Sequence, residues 1–168
     1  MKRLYLVRHA KSSWGDLTLP DYERPLNERG KTDAPVMAKR LLLRNVRIDA
    51  FVSSPAKRAI KTCKLFCKEY GIKEDKIITV DKLYLAQPEV FFEVVKELPD
   101  KNDHVAIFAH NPGITDFANR LCEDVRIDEM PTCGIFAVEA SIKKWLDFRV
   151  AEKNFLFFDY PKSSATGS

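Results

Sequence analysis

The sequence predicts an α/β fold, a three-layer α/β/α sandwich around a mixed, mainly parallel central sheet. Short apolar runs with the character of buried strands alternate with segments whose apolar residues recur at helical spacing, which is typical of parallel α/β folds. Two further strand-like runs come late in the chain with only a polar turn between them. They predict an antiparallel pair added to the parallel strands.

The first predicted strand, Leu4 to Val7, leads into an irregular loop from Lys11 to Arg24, which Ser, Gly and Pro residues punctuate. Loops longer than about 12 residues inside compact domains are often functional, so this loop is a candidate part of a site. The sequence is compatible with two different starts for the helix that follows. Thr32 would cap a late start, whereas a start near Asn27 places Pro35 inside the helix.

The remaining elements continue the alternation. Pro55 opens the second helix and Gly71 ends it, in accord with the preferences of these residues for helix starts and stops. One domain over residues 1–160 accounts for the whole pattern, and residues 161–168 are predicted to be a flexible tail. The other predicted strands span residues 50–53, 77–80, 105–109, 134–140 and 148–153, and the other helices span residues 56–70, 88–98 and 114–122.

Composition narrows the function classes. Lys and Arg number 28 against 24 acidic residues, and the net charge of +4 supports a mild preference for anions. Basic residues are interspersed with acidic ones without forming a block, so we expect no nucleic-acid partner. The amino terminus lacks a signal-peptide pattern and no run is long enough to span a membrane, so we expect no membrane partner and a cytoplasmic protein. The four cysteines lack paired spacing, which favours reduced thiols over disulfides or zinc.

Four residues with charged or nucleophilic side chains follow predicted strands at their carboxyl ends. Arg8 and His9 come after the first strand. Arg58 lies in the first turn of the helix after the second strand, and His110 follows a later strand. In open α/β sheets such positions line the binding crevice. Guanidinium groups match phosphate oxygens, and the helix amides after Pro55 would add to an anion site, so the cluster predicts a phosphoryl group as ligand.

The imidazoles add chemistry that arginine cannot supply. An unprotonated ring nitrogen can attack phosphorus and carry the phosphoryl group covalently. His9 is the candidate nucleophile, held by its other ring nitrogen against a backbone carbonyl. His110, Arg8 and Arg58 would stabilise the charge that grows in the transition state. Asn111 is a further candidate ligand, because its side-chain amide can donate to phosphate.

Three segments carry a family resemblance: LVRHA near the amino terminus, SSPAKRAIKT at the second strand-to-helix turn and FAHNPG late in the chain. In this order they resemble the histidine phosphatase superfamily, whose fold is phosphoglycerate mutase-like. The strings PLNERGKTDAP and DKLYLAQPE add a resemblance to SixA-type phosphohistidine phosphatases, and chain length favours this branch. The resemblance implies a phosphate pocket of Arg8, His9, Arg58 and His110. It also implies phosphorylation of His9 during turnover, and no metal or organic cofactor.

The sequence departs from the family pattern in three places. Ala10 replaces the usual Gly, which requires a backbone that avoids positive φ there. Ser12 matches the continuation of the first motif and is a candidate phosphate ligand, with a loop or turn hydroxyl as the alternative, whereas Gly15 replaces a phosphate-binding Asn. The third departure concerns the general acid: where many members carry Glu, this chain has Leu85 and Ala86.

The candidate general acids that remain are Glu89 and, in the first loop, Asp16. Without a well-placed acid the chemistry favours phosphohistidine, because imidazole is a far better leaving group than an alkoxide. The leading hypothesis is a phosphatase that hydrolyses phosphohistidine on a signal-transduction or phosphotransfer protein. The alternatives are a phosphomonoesterase for a small phosphorylated metabolite and a non-catalytic phosphate-binding module. Phosphate or sulfate is expected in the pocket in each case.

Overall fold

A computed structural model describes residues 1–163. Within this range, strands and helices alternate in the predicted order. The strands are β1 (Lys2–Arg8), β2 (Ala50–Ser53), β3 (Ile78–Thr79), β4 (His104–Ala109), β5 (Ile135–Ala140) and β6 (Asn154–Asp159). The α-helices are α1 (Glu28–Leu43), α2 (Lys57–Tyr70), α3 (Pro88–Lys96) and α4 (Gly113–Ala118).

The strands form one mixed sheet in the order β3-β2-β4-β1-β5-β6. β3, β2, β4 and β1 run parallel to one another, whereas β5 is antiparallel to both β1 and β6. Alternate residues of β1 point to opposite faces: Leu4 and Leu6 pack with α3 and α4, and Tyr5 and Val7 pack with α1 and α2. The predicted α/β fold with a mixed, mainly parallel sheet is confirmed.

Helix α1 takes the earlier of the two predicted starts. The side-chain oxygen of Asn27 accepts a hydrogen bond from the backbone N–H of Gly30 at 2.8 Å, so Asn27 caps the helix. Pro35 lies inside α1. The predicted end of α2 is also observed, since Gly71 has a φ of 69°, in the left-handed region that favours glycine.

The last strand is later in the chain than the sequence analysis predicts. Residues 148–153 are not a strand, and the strand that pairs with β5 is Asn154–Asp159. Phe148 instead packs its ring against Trp145, with 5.8 Å between ring centroids, and both side chains are buried. Strand β6 uses the aromatic run that follows, in which Phe158 is paired with Phe136 of β5. Aromatic residues favour strands through such cross-strand contacts. Helix α4 is also shorter than predicted and ends at Ala118.

The chain after β6 is held against α1. Arg40 donates hydrogen bonds to the carboxylate of Asp159 at 3.1 Å and to the backbone carbonyls of Tyr160 and Pro161 at 2.9 and 3.0 Å. Residues 164–168, the rest of the predicted tail, lie outside the described residues. Among residues 1–163, none of the helices combines the length and the apolar character that crossing a bilayer requires.

Gly113 begins α4 in direct contact with the segment before α3. A Cβ at this position would lie 1.7 Å from the carbonyl oxygen of Ala86. We therefore expect Gly113→Ala to lower the free energy of unfolding by about 2 to 3 kcal/mol, measured by urea denaturation. Gly15→Ala is the matched control, because its Cβ would meet only the Ser13 hydroxyl, at 3.3 Å. Equal stability of the two variants would contradict this packing.

Candidate active site

Neighbouring parallel strands bring the predicted residues to one edge of the sheet. β1 pairs with β4, and β4 pairs with β2, so the carboxyl ends of these strands lie together. Arg8 ends β1 and His9 follows it; His110 follows β4, and Arg58 lies in the first turn of α2. The four side chains line one cavity of about 390 Å³. The rings of His9 and His110 are 5.3 Å apart between centroids.

His9 has a defined tautomer. Its Nδ1 lies 2.7 Å from the carbonyl oxygen of Ala10. Because a carbonyl oxygen can only accept, Nδ1 carries the ring hydrogen and donates it. The other nitrogen, Nε2, then carries a lone pair, which accepts a hydrogen bond from the Nε–H of Arg58 at 3.3 Å. His9 therefore presents an unprotonated nitrogen beside the guanidinium of Arg58.

Burial keeps both histidines of the cavity uncharged. Burial is the main cause that lowers the pKa of His9 from 6.5 to about 3, and the neighbouring His110 and the positive charges of Arg58 and Arg8 add to it. Burial likewise lowers the pKa of His110 to about 3, with the charge of Arg58 as the next cause. Both rings are neutral at pH 7, so Nε2 of His9 is available to attack an electrophile.

Nuclear magnetic resonance of ring nitrogens tests this protonation state. We expect His9 to give the signals of the neutral, Nδ1-protonated ring and to keep them between about pH 7.5 and pH 5, because its pKa lies well below that of an ordinary histidine. The His9→Ala variant assigns the signal by its disappearance. A His9 signal that titrates near pH 6.5 would contradict the burial and the hydrogen bond to Ala10.

Two buried polar atoms at the cavity have no hydrogen-bond partner. The Nε2 of His110 bonds the Ser54 hydroxyl at 2.7 Å, while its Nδ1 has no partner. Arg8 donates from Nη1 to the carbonyl of Met130 at 2.9 Å, while its Nε has none. Among residues 1–163, the only other buried side-chain N or O atom without a hydrogen-bond partner is the hydroxyl oxygen of Tyr5. Unpartnered buried groups cost about 1–3 kcal/mol each, so an anion that accepts from the Arg8 Nε would bind favourably.

Asp21 holds the guanidinium of Arg58 from the loop side. Arg58 donates from Nη1 to the backbone carbonyl of Asp21 at 2.7 Å and from Nη2 to its carboxylate at 3.0 Å. A third donor, the Nε–H, bonds to Nε2 of His9 at 3.3 Å. Tyr84 donates its hydroxyl to the same carboxylate at 2.5 Å, and Arg24 forms an ion pair with it at 3.2 Å. These contacts fix the orientation of Arg58 in the cavity.

The carboxylate of Asp21 is ionised at neutral pH. Burial by itself would raise the pKa of Asp21, but the hydrogen bonds from Tyr84 and Arg58 and the charge of Arg58 lower it to about 2. Asp21 is therefore not in the protonated form that a general acid requires. Sequence reasoning missed Asp21, Tyr84 and Arg24, because loop residues follow no periodic pattern. The available signal was an acidic residue three positions before Arg24 in the long loop after β1.

Ser12 and Asn111 line the cavity, but their polar groups are engaged within the protein. The Ser12 hydroxyl accepts from Nη1 of Arg24 at 2.5 Å. The Asn111 amide donates to the carbonyl of Met130 at 2.9 Å, and its oxygen accepts from the Thr115 hydroxyl at 2.6 Å. The side-chain amide that was predicted to donate to phosphate thus ties the loop after β4 to the segment before β5.

The candidate general acids lie away from the cavity. Glu89, in the first turn of α3, forms ion pairs with Arg120 and Arg149, each at 2.8 Å. Hydrogen bonds from Arg149 and Arg120 lower the pKa of its carboxyl group. Asp16 is exposed and accepts from the backbone N–H of Thr18 at 3.0 Å. Neither carboxylate lines the cavity, so the structure does not bring either candidate acid together with the other predicted site residues.

One of the amides that were predicted to add to the anion site is engaged within the protein. The N–H of Ala56 donates to the Ser54 hydroxyl at 3.3 Å, and Pro55 and Lys57 line a neighbouring cavity instead. The contribution of α2 to the candidate active site is therefore the side chain of Arg58.

Ala10 fits where the family pattern has glycine. Among residues 1–163, the non-glycine residues with positive φ are Asn45, Leu85 and Cys133, so Ala10 needs no left-handed conformation. Ala10 is fully buried, and its N–H donates to the Thr62 hydroxyl at 2.9 Å. The expectation that an alanine is tolerated here is consistent with this backbone.

The amino-terminal part of the chain resembles a known protein family. The family model of the histidine phosphatase superfamily (branch 1) matches residues 4–84, which include Arg8, His9 and Arg58. This match covers slightly less than half of the chain, and it agrees with the family resemblance that the three motifs predict.

Two curated proteins share parts of this sequence. A chloroplastic, uncharacterised protein of Arabidopsis thaliana is 43% identical over 63 residues, which cover 38% of this chain and 29% of that protein. Phosphoserine phosphatase 1 of Hydrogenobacter thermophilus is 38% identical over 90 residues, which cover 48% of this chain and 40% of that protein. The matches therefore span less than half the length of these curated relatives.

Solved structures share the fold along nearly the whole chain. A SixA protein from Agrobacterium tumefaciens has a TM-score of 0.79 at 24% identity, over 95% of this chain and 98% of that chain. The protein histidine phosphatase SixA complexed with tungstate has a TM-score of 0.80 at 18% identity, over 95% and 97% of the two chains. A mycobacterial glucosyl-3-phosphoglycerate phosphatase has a TM-score of 0.68 at 15% identity, over 98% and 100%.

Proposed function

We propose that this protein is a phosphatase that hydrolyses phosphohistidine on another protein through a phosphorylated His9. The observation that carries the proposal is the lone pair on Nε2 of His9, 3.3 Å from the donor Nε of Arg58. His9 and Arg58 line one cavity together with Arg8 and His110, and each of the latter two has a buried polar atom without a partner. A nucleophile and anion-binding groups thus share one space, which is what phosphoryl transfer requires.

In the first step, the lone pair of His9 Nε2 forms a bond to phosphorus. The nitrogen–phosphorus bond of the substrate breaks, and its electron pair stays on the substrate imidazole. When that ring is protonated on its other nitrogen, it leaves as neutral imidazole and needs no further proton. Arg8 and Arg58 stabilise the charge on the phosphoryl oxygens as the bonds exchange.

In the second step, water attacks the phosphoryl group on His9. The new nitrogen–phosphorus bond breaks, its electron pair returns to Nε2, and both protons of the water leave on dihydrogen phosphate. The hydrogen on Nδ1 stays on His9 throughout, held by the carbonyl of Ala10 at 2.7 Å. His9 thus begins and ends the cycle as the same neutral tautomer.

The ionised state of the carboxylate in the cavity favours a substrate with a nitrogen–phosphorus bond over a phosphate ester. Among the described residues that line the cavity, Asp21 is the one carboxylate, and its low pKa keeps it ionised. An alkoxide leaving group needs a proton, and a positioned general acid contributes about 10²–10⁴-fold to such reactions. A neutral imidazole leaves without that help. The substrate we propose is a signal-transduction or phosphotransfer protein in the cytoplasm.

Comparison of substrates with different leaving groups tests the proposal. We expect kcat/KM for a phosphohistidine peptide and for phosphoramidate to exceed that for phosphoserine and sugar phosphates by about 10²-fold or more, because only the esters need an acid. Release of phosphate from each substrate without enzyme supplies the background. Turnover confined to the esters would overturn the proposal in favour of the second candidate.

That second candidate is a phosphomonoesterase for a small metabolite. The observation in its favour is the sequence match to a phosphoserine phosphatase at 38% identity over 90 residues. A non-catalytic phosphate-binding module would need only the cationic groups of the cavity. The neutral, tautomer-fixed ring of His9 has no purpose in such a module, which is why we favour an enzyme.

A further inference from the structure

A second cavity, of about 490 Å³, lies beside the candidate active site. Its charged lining is mainly basic, because Glu23 is the one acidic residue among the described residues that line it, against four lysines. Apolar side chains, among them Leu26 and Ile60, contribute the rest of the surface. We name it the lysine groove, after its four lysines, Lys31, Lys57, Lys61 and Lys64.

The lysine groove shares its walls with the candidate active site. In the loop after β1, Asp21 and Arg24 line the active-site cavity, whereas Tyr22 between them lines the groove. On α2 the side chain of Lys57 lines the groove, and that of the next residue, Arg58, lines the active-site cavity. A protein that places a phosphoryl group against Arg58 therefore lies next to the groove.

The charges of the lysines in the groove contribute little to the stability of the fold. Lys57 is in the first turn of α2, which contains no acidic residue, although helix N-termini favour negative charge. Lys57 and Lys61 are exposed and have no ion pair among residues 1–163. Lys31 and Lys64 have only exposed or half-buried contacts with single carboxylates, at 3.4 and 3.7 Å. Their charge is available to a partner.

A third cavity, which adjoins the active-site cavity at Leu85, is less basic. Its volume is about 560 Å³, and it is lined by Arg120 and Arg126 but also by Asp116. Arg120 is already paired with Glu89 at 2.8 Å. An acidic partner is therefore attracted to the lysine groove rather than to this cavity.

We propose that the lysine groove docks an acidic segment, rich in Asp and Glu, of the protein that presents the phosphohistidine. This proposal rests on the proposed function and names the chemistry of the partner. The phosphohistidine enters the cavity beside Arg58 while carboxylates of the same protein bind Lys57 and Lys61. Such surface charges act mainly on encounter and are screened by salt.

Charge reversal on α2 tests the docking. The probes are two synthetic phosphohistidine peptides that differ only in their flanking residues, which are Glu in one and Gln in the other, and phosphoramidate, which is too small to reach the groove. We expect the double variant Lys57→Glu, Lys61→Glu to lose about tenfold in kcat/KM for the Glu peptide at low salt and to keep its rate on phosphoramidate. The loss should shrink as salt is added.

The matched control reverses the same number of charges elsewhere. Lys39→Glu, Lys101→Glu changes two exposed lysines that line neither cavity, so it should hydrolyse the Glu peptide at the wild-type rate. A double variant of α2 that hydrolyses the Glu peptide as fast as wild type would overturn the docking proposal. An equal loss in both charge-reversal variants would overturn it too, because net charge alone would then explain the effect.

Binding measurements with an unphosphorylated peptide distinguish the docking proposal from the proposed catalytic function. Fluorescence anisotropy with the unphosphorylated Glu peptide should show weaker binding to the α2 variant than to wild type. If wild type binds this peptide through Lys57 and Lys61 but hydrolyses no phosphohistidine, the proposed function fails and the docking surface stands. If wild type binds vesicles with anionic lipid through these lysines but not the peptide, the groove has a different occupant and the proposal is overturned.

Discussion

The variant His9→Ala is expected to lose turnover of phosphohistidine by about 10⁴-fold or more, because it removes the group that attacks phosphorus. It should keep its affinity for inorganic phosphate or sulfate, since the donors of Arg8 and Arg58 remain in the cavity. Steady-state phosphate release measures the first effect, and isothermal titration calorimetry with phosphate measures the second.

A control separates loss of the nucleophile from loss of the fold. His104 is a second histidine, at the start of β4, whose Nδ1 bonds the carbonyl of Arg47 at 3.1 Å outside the cavity. His104→Ala should therefore keep the wild-type rate. Turnover by His9→Ala within tenfold of wild type would show that another group attacks phosphorus.

Removal of Arg58 has the second largest expected effect. Arg58→Ala should lower kcat by about 10³-fold, as expected when a donor to transition-state charge is lost from a buried site. Asp21→Asn leaves Arg58 in place but weakens the contact that orients it, made by the carboxylate at 3.0 Å. For this milder change we expect a fall of about 10- to 100-fold in kcat.

The relative size of the two effects distinguishes the roles of these residues. If Asp21 were the general acid, Asp21→Asn would slow phosphoserine far more than phosphoramidate, because only the ester needs a proton. If Asp21 orients Arg58, the variant slows both substrates by a similar factor. A larger loss in Asp21→Asn than in Arg58→Ala would contradict the orienting role. Thermal unfolding of both variants shows whether the folded population is the same.

Strand ends were the part of the site that the sequence could predict. Apolar runs mark β1, β2 and β4, and a residue directly after a strand must lie at the sheet edge. That reasoning places Arg8, His9 and His110 together. Arg58 was placed from Pro55, which was expected to open the helix; α2 begins two residues later, at Lys57, and Arg58 still lies in its first turn.

Long-range contacts were the part that the sequence could not predict. Asp21 reaches Arg58 only because the loop after β1 folds over the start of α2, and no periodicity encodes that path. Glu89 was a candidate acid by chain position, yet its side chain meets two arginines from distant segments. Strand β6 was misplaced because the pairing of Phe158 with Phe136, rather than local alternation, decides which residues join β5.

Detection of phosphate on His9 tests the central claim most directly. The enzyme is mixed with a phosphohistidine peptide, quenched within the first turnovers at alkaline pH, where phosphohistidine survives, and digested for mass spectrometry. We predict that the peptide containing His9 carries the phosphoryl group and loses it at a rate no slower than turnover. Steady turnover of the substrate with no phosphate on His9 would contradict the covalent mechanism.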